Sequence, residues 1–117
     1  AEIQEAHTLS SGYLQNNNGK FTFMPFSYQL QLAPIMAFLE YDFNGDNKTE
    51  VLAAGNYFGV KPYHGRFDSF PGALISTGNN VTLANEIGLD LTGKSIRNMN
   101  IINSNNNTYL LLTFNDV

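Results

Sequence analysis

Ile35-Met36-Ala37-Phe38-Leu39-Glu40-Tyr41, then Asp42-Phe43-Asn44-Gly45-Asp46-Asn47-Lys48-Thr49, then Glu50-Val51-Leu52-Ala53-Ala54-Gly55 is the stretch that decides the fold. Two apolar segments of strand length flank a compact polar loop. Neither segment carries a 3.6-residue apolar period over a helical length, and Pro34 stands immediately before the first. Two strands joined by a tight loop are the expected result.

The same pattern extends in both directions. Upstream, Gly12-Tyr13-Leu14-Gln15 and Lys20 to Phe26 bracket Asn16-Asn17-Asn18-Gly19. Asn-Gly between β-formers is a strong hairpin signal, because both residues tolerate the positive φ of a tight turn. Tyr28-Gln29-Leu30-Gln31-Leu32 alternates and is expected to be a further strand ended by Pro34. Downstream, Gly72 to Gly78 and Val81-Thr82-Leu83 read as strands about Asn79-Asn80. Ser95 to Ile102 and Thr108 to Phe114 read as the last two, joined by an Asn-rich turn at 103–107. Eight or nine short strands separated by Asn/Gly turns predict an antiparallel all-β chain.

The loop carries the chemistry. From Asp42, oxygen-bearing side chains fall at the first, third, fifth and ninth positions: Asp42, Asn44, Asp46 and Glu50. Calcium takes six to eight oxygens, and a tight loop can aim alternate side chains inward and add a backbone carbonyl, here that of Lys48. Carboxylates packed so closely repel one another without a cation. The expected metal set is therefore Asp42, Asn44, Asp46, Lys48 through its carbonyl, and Glu50, with calcium as the ion. The competing reading is an Asx-rich turn without an ion. An EF-hand is excluded, since the twelfth position is Ala53 and the sixth Asn47 where that loop needs Glu and Gly.

At this loop the chain resembles an FG-GAP or VCBS-type repeat, the blade unit of integrin-like and cartilage acidic protein-like β-propellers. Asp42 to Glu50 is similar to the pattern D-x-[DN]-x-D-G-x-x-[DE], with Asn47 in place of the pattern's Gly, and Val51-Leu52-Ala53-Ala54-Gly55-Asn56 follows as the small-residue strand. The resemblance covers about residues 30–80. It implies a single module of about two propeller-type blades, a C-terminal segment of a propeller, in which calcium is structural. A self-contained sandwich or barrel is the alternative.

Catalytic signatures are absent: there is no G-x-S-x-G, P-loop, H-E-x-x-H or dinucleotide fingerprint. Extended backbone at Tyr63-His64-Gly65-Arg66-Phe67-Asp68 would put His64, Arg66 and Asp68 on one face as an acid/base trio. A surface loop tied by an Arg66–Asp68 pair is the simpler reading, and no catalytic residue is assigned. Glu40 and Asp42, two apart at the mouth of the loop, fit metal support better than a glycosidase pair. Tyr57, Phe58, Tyr63, Phe67 and Phe70 cluster about the long loop and are candidates for stacking on a protein or glycan partner, or for covering the core. A small carbohydrate-binding or hydrolytic β-domain using residues 57–70 is the alternative function.

Composition bounds the partners. In 117 residues there is room for one domain. The net charge is -4, and the six Lys and Arg residues are scattered, so the cationic face that tracks phosphates is missing. Nucleic acid is excluded. With no cysteine there is neither a disulfide nor a thiolate metal site. No apolar run approaches a membrane span of about 20 residues. The opening Ala1-Glu2-Ile3-Gln4-Glu5 is no signal peptide, so the chain reads as a mature or excised segment. A low charged fraction of 14% and a calcium loop point to an extracytoplasmic setting. Long uncharged strands such as Thr108 to Phe114 predict self-association through strand edges.

Overall fold

The computed structural model describes residues 2–60, 63 and 65–115. Among the described residues the regular structure is β apart from short 3-10 turns. Eight strands form in chain order: β1 Gly12–Asn17, β2 Lys20–Pro25, β3 Ile35–Tyr41, β4 Glu50–Gly55, β5 Ala73–Ser76, β6 Asn80–Leu83, β7 Ile96–Ser104 and β8 Asn107–Phe114. They make three antiparallel sheets: the hairpin β1–β2, the four-stranded meander β3–β4–β5–β6, and the hairpin β7–β8. Among the described residues no sheet closes into a barrel.

The turns follow from residue chemistry. Asn17 pairs with Lys20 across Asn18 (φ 53°) and Gly19 (φ 90°), and Ser104 pairs with Asn107 across Asn105 (φ 50°) and Asn106 (φ 63°). Two consecutive positive φ values define the type I′ turn, whose twist matches the strands it joins. Thr77-Gly78-Asn79 makes the looser β5–β6 connection.

β4 lies at the centre. Its alternate residues feed two cores on opposite faces of the meander. Leu52 and Ala54, with Ala37 and Leu39 of β3, face Ile96, Met99, Leu110 and Leu112 of the β7–β8 hairpin. Val51 and Ala53, with Ala73, Ile75, Val81 and Leu83, face Leu30, Ala33, Phe70 and Phe26. A strand covered on both faces loses the apolar/polar alternation, which explains Val-Leu-Ala-Ala-Gly. Small side chains there let neighbouring segments approach closely. A Cβ on Gly55 would overlap the Pro34 carbonyl, beside which β3 carries a bulge between Ile35 and Ala37.

The β1–β2 hairpin borders the second core through Tyr13, whose ring lies 5.8 Å from that of Phe26 and whose hydroxyl accepts from Asn79 Nδ2 at 2.8 Å. A cleft of about 310 Å³, lined by Tyr13, Phe26, Phe38, Val51 and Ile75, remains between hairpin and meander. The β7–β8 hairpin thus packs across one face of the meander, while the β1–β2 hairpin meets the other at its base and projects into solvent.

One element departs from expectation. Residues 28–31 form a turn of 3-10 helix instead of a strand. The Leu30 amide donates back to the Ser27 carbonyl at 3.0 Å, and the turn drops Leu30 into the core at 0% exposure while Gln31 donates to the Ser11 and Phe26 carbonyls. Only Leu30 needs burial here, and a turn delivers one side chain where a strand would deliver two.

Candidate metal loop

The β3–β4 connection starts from an exposed edge and returns to a buried one. Tyr41 pairs with Glu50, so the eight residues between them must reverse the chain without a regular turn. Asp42 organises the reversal. Its Oδ1 accepts the amides of Gly45 at 2.7 Å and Asp46 at 3.2 Å, and its Oδ2 accepts that of Asn47 at 2.8 Å. Asn44 Oδ1 accepts the Asp46 amide at 2.9 Å, and Asp46 Oδ1 accepts the Lys48 amide at 2.9 Å. Gly45 (φ 78°) and Asn47 (φ 66°) take the left-handed backbone that this curl requires.

Glu50 closes the loop from the strand side. It is 3% exposed, and its Oε2 accepts the Phe43 amide at 2.9 Å. Phe43 is held edge-on against Tyr41 with ring centroids 5.4 Å apart, which fixes the loop's shoulder over the first core. Thr49 Oγ1 donates to Glu40 Oε1 at 2.7 Å. Glu40 therefore ties the rim and is not part of the carboxylate cluster.

The result is a convergence of charge. One carboxylate oxygen each from Asp42, Asp46 and Glu50 lies within 4.8 Å of the others. Among the described residues the ion pair is Arg66–Asp68, and no Lys, Arg or His pairs with these three groups. Two unit charges about 4 Å apart near a protein surface interact with an energy of about 4 kcal/mol. The hydrogen bonds use some lone pairs on each carboxylate and leave others free, since each has about four acceptor sites. Three hard oxygen donors around one point, with the Asn44 amide oxygen on the same loop, suit a hard divalent cation and no thiol-seeking metal. Asn44 and Lys48 both lie on the exposed side of the loop.

The aromatic loop divides. The amides of Tyr57 and Phe67 each donate to the other's carbonyl, at 2.8 and 3.0 Å, closing the base of a loop that leaves Tyr63 75% exposed and Tyr57 and Phe67 partly so. Phe58 is half-buried, with the Arg66 guanidinium 4.4 Å over its ring. Phe70 is not a surface aromatic: at 0% exposure it fills the second core. Of the proposed acid/base trio, Arg66 and Asp68 form an exposed ion pair at 3.3 Å, and His64 lies outside the described residues.

Asn56 was not singled out by the sequence and is the most heavily bonded side chain described. It is fully buried with φ 75°. Its Nδ2 donates to the carbonyls of Phe70, Leu91 and Lys94 at 2.9, 3.2 and 3.0 Å, and its Oδ1 accepts the Phe70 amide at 3.0 Å. The Ser95 hydroxyl donates to its carbonyl at 3.4 Å. One amide thus pins the end of β4 to the loop before β5 and to the segment before β7. Arg97, at the β7 bulge, stacks 5.6 Å over Tyr57, while its Nη1 is buried without a hydrogen-bond partner. No known protein family, curated protein sequence or solved structure matches this chain.

Proposed function

We propose that this chain is a non-catalytic β-module whose strands are cross-linked by calcium in the Asp42–Glu50 loop and which serves outside the cytoplasm as a scaffold for a protein or glycan partner. The observation that carries the reading is the convergence of Asp42, Asp46 and Glu50 within 4.8 Å with no cationic side chain among the described residues to offset them. A bound cation would relieve that repulsion and tie the end of β3 to the start of β4. The four-stranded meander in chain order is what a propeller blade consists of, which supports the FG-GAP/VCBS-type reading of the loop. Millimolar extracellular calcium would saturate even a weak site of this kind. Tyr57, Tyr63 and Phe67, exposed on a loop closed at its base, offer stacking surface to the partner.

Thermal unfolding in calcium and in chelator tests the metal. At a calcium concentration about a hundredfold above the dissociation constant, the folded state gains about 2.7 kcal/mol. The melting temperature of the wild-type chain should rise with calcium and fall back with EDTA, and Asp46→Ala should remove the difference. Equal melting temperatures in calcium and EDTA for the wild type would refute the ionic reading.

A further inference from the structure

Glycine follows asparagine at two places in the chain, Asn18-Gly19 and Asn44-Gly45. An asparagine so placed carries the means of its own hydrolysis. The amide nitrogen of the next residue can attack the side-chain carbonyl carbon, and glycine, lacking a Cβ, hinders that approach least. Asparagine counts among the thermolabile residues. Exposure and sterics do not separate the two sites. Both asparagines are exposed, and apart from chain neighbours no atom lies within 4 Å of where a Cβ would stand on Gly19 or Gly45.

Hydrogen bonding does separate them. Each glycine amide donates to a side-chain oxygen three residues upstream, Gly19 to Asn16 Oδ1 at 2.8 Å and Gly45 to Asp42 Oδ1 at 2.7 Å. The nucleophile is engaged at both sites, but by unequal acceptors. Asn16 is neutral, whereas the Asp42 carboxylate makes a charge-assisted bond of roughly twice the strength. The electrophile differs as well. Asn44 Oδ1 accepts the Asp46 amide at 2.9 Å, while the Asn18 side chain has no hydrogen-bond partner among the described residues.

The surroundings widen the difference. Asp42 also holds the Asp46 and Asn47 amides, and the buried Glu50 anchors the same loop through the Phe43 amide. Asn18 sits at the tip of the β1–β2 hairpin, where every residue of β2 is exposed and each strand pairs only with the other. A lone two-stranded hairpin is marginal in water, so this turn opens without disturbing the cores.

We propose that Asn18 is a site of spontaneous covalent modification, converting to aspartate and isoaspartate through a cyclic imide with Gly19, while Asp42 withholds the same reaction from Asn44. The chemistry needs only base and water. The Gly19 amide gives its proton to base, its nitrogen bonds to Asn18 Cγ, and the Cγ–Nδ2 bond breaks with release of ammonia. Water then opens the imide at either carbonyl. Opening at Cγ gives aspartate, and opening at the main-chain carbonyl gives isoaspartate, which routes the backbone through an added methylene. Both products carry a new carboxylate, and the second lengthens a turn whose two residues fix the hairpin register. None of this depends on a bound cation.

Peptide mapping by mass spectrometry, with isoaspartate quantified at each site, follows the reaction in the folded chain at mildly alkaline pH in EDTA. Asn18 should convert at least about tenfold faster than Asn44, a ratio equivalent to about 1.4 kcal/mol. In concentrated urea the two rates should converge, because the folded structure and not the dipeptide sets the difference. Asp42→Ala should raise the Asn44 rate at least about tenfold, the scale of one hydrogen bond to a charged group, and leave the Asn18 rate unchanged. The Asn18 rate is thus an internal standard for folding. Should Asp42→Ala unfold the chain, both rates would rise to their urea values, and Asp42→Asn would replace it with a rise at Asn44 alone as the criterion. Equal rates at the two sites in the folded wild type overturn the proposal. So does a ratio that persists in urea, or an Asn44 rate indifferent to the loss of the Asp42 carboxylate.

Discussion

Two side chains set the balance between structure and charge at the residue scale. Asn56 holds four backbone groups from two segments, and truncating it would take from the buried Phe70 amide and carbonyl the side-chain partner that both share. A buried group left unsatisfied costs about 1–3 kcal/mol, and the left-handed φ at residue 56 adds strain for alanine. Asn56→Ala should therefore lose about 3 kcal/mol of stability by urea unfolding. Glu50 behaves in the opposite sense without metal. Glu50→Gln keeps the acceptor for the Phe43 amide and removes one of three crowded charges. It should melt higher than the wild type in EDTA and gain less from calcium, reversing the order of the two proteins between the two buffers. The carboxylates were legible because their spacing is local. Asn56 was not, because the groups it binds lie up to 38 residues away and its only signal was a polar residue after a small-residue strand.

The elements differ in how firmly they are held. β4 is packed on both faces and paired on both edges, whereas every residue of β2 is exposed and β1 is its one strand partner. Apolar burial contributes about 25 cal/mol per Å², so β1–β2 carries little stabilisation of its own. In the monomer its amides should exchange with solvent through local opening, at least about 30-fold faster than those of β4 and β5, a gap of about 2 kcal/mol. Equal protection in β1–β2 and β4 at low concentration would contradict this. The strands were legible because Asn-Gly and Asn-Asn pairs mark their turns, a purely local signal. Tyr28 to Leu32 was misread for the same reason: alternation without a partner strand is also satisfied by a 3-10 turn that buries Leu30 alone. Phe70 resembled its exposed aromatic neighbours in sequence, and only the packing of the second core distinguishes it.

At the scale of the whole molecule, the Cα radius of gyration is 16.2 Å, against about 13 Å for a compact chain of this length. Less surface is therefore hidden on folding. An unfolded chain of 13.0 kDa exposes about 18,900 Å², so folding to 8233 Å² removes about 10,600 Å², roughly 15% less than a compact monomer would remove. The denaturant slope scales with that difference, so the urea m-value of the dilute chain should fall about 15% below the value usual for its size. A wild-type m-value at the compact norm would mean that the exposed segments, the β1–β2 hairpin among them, fold back on the meander in solution and hide surface that is open here.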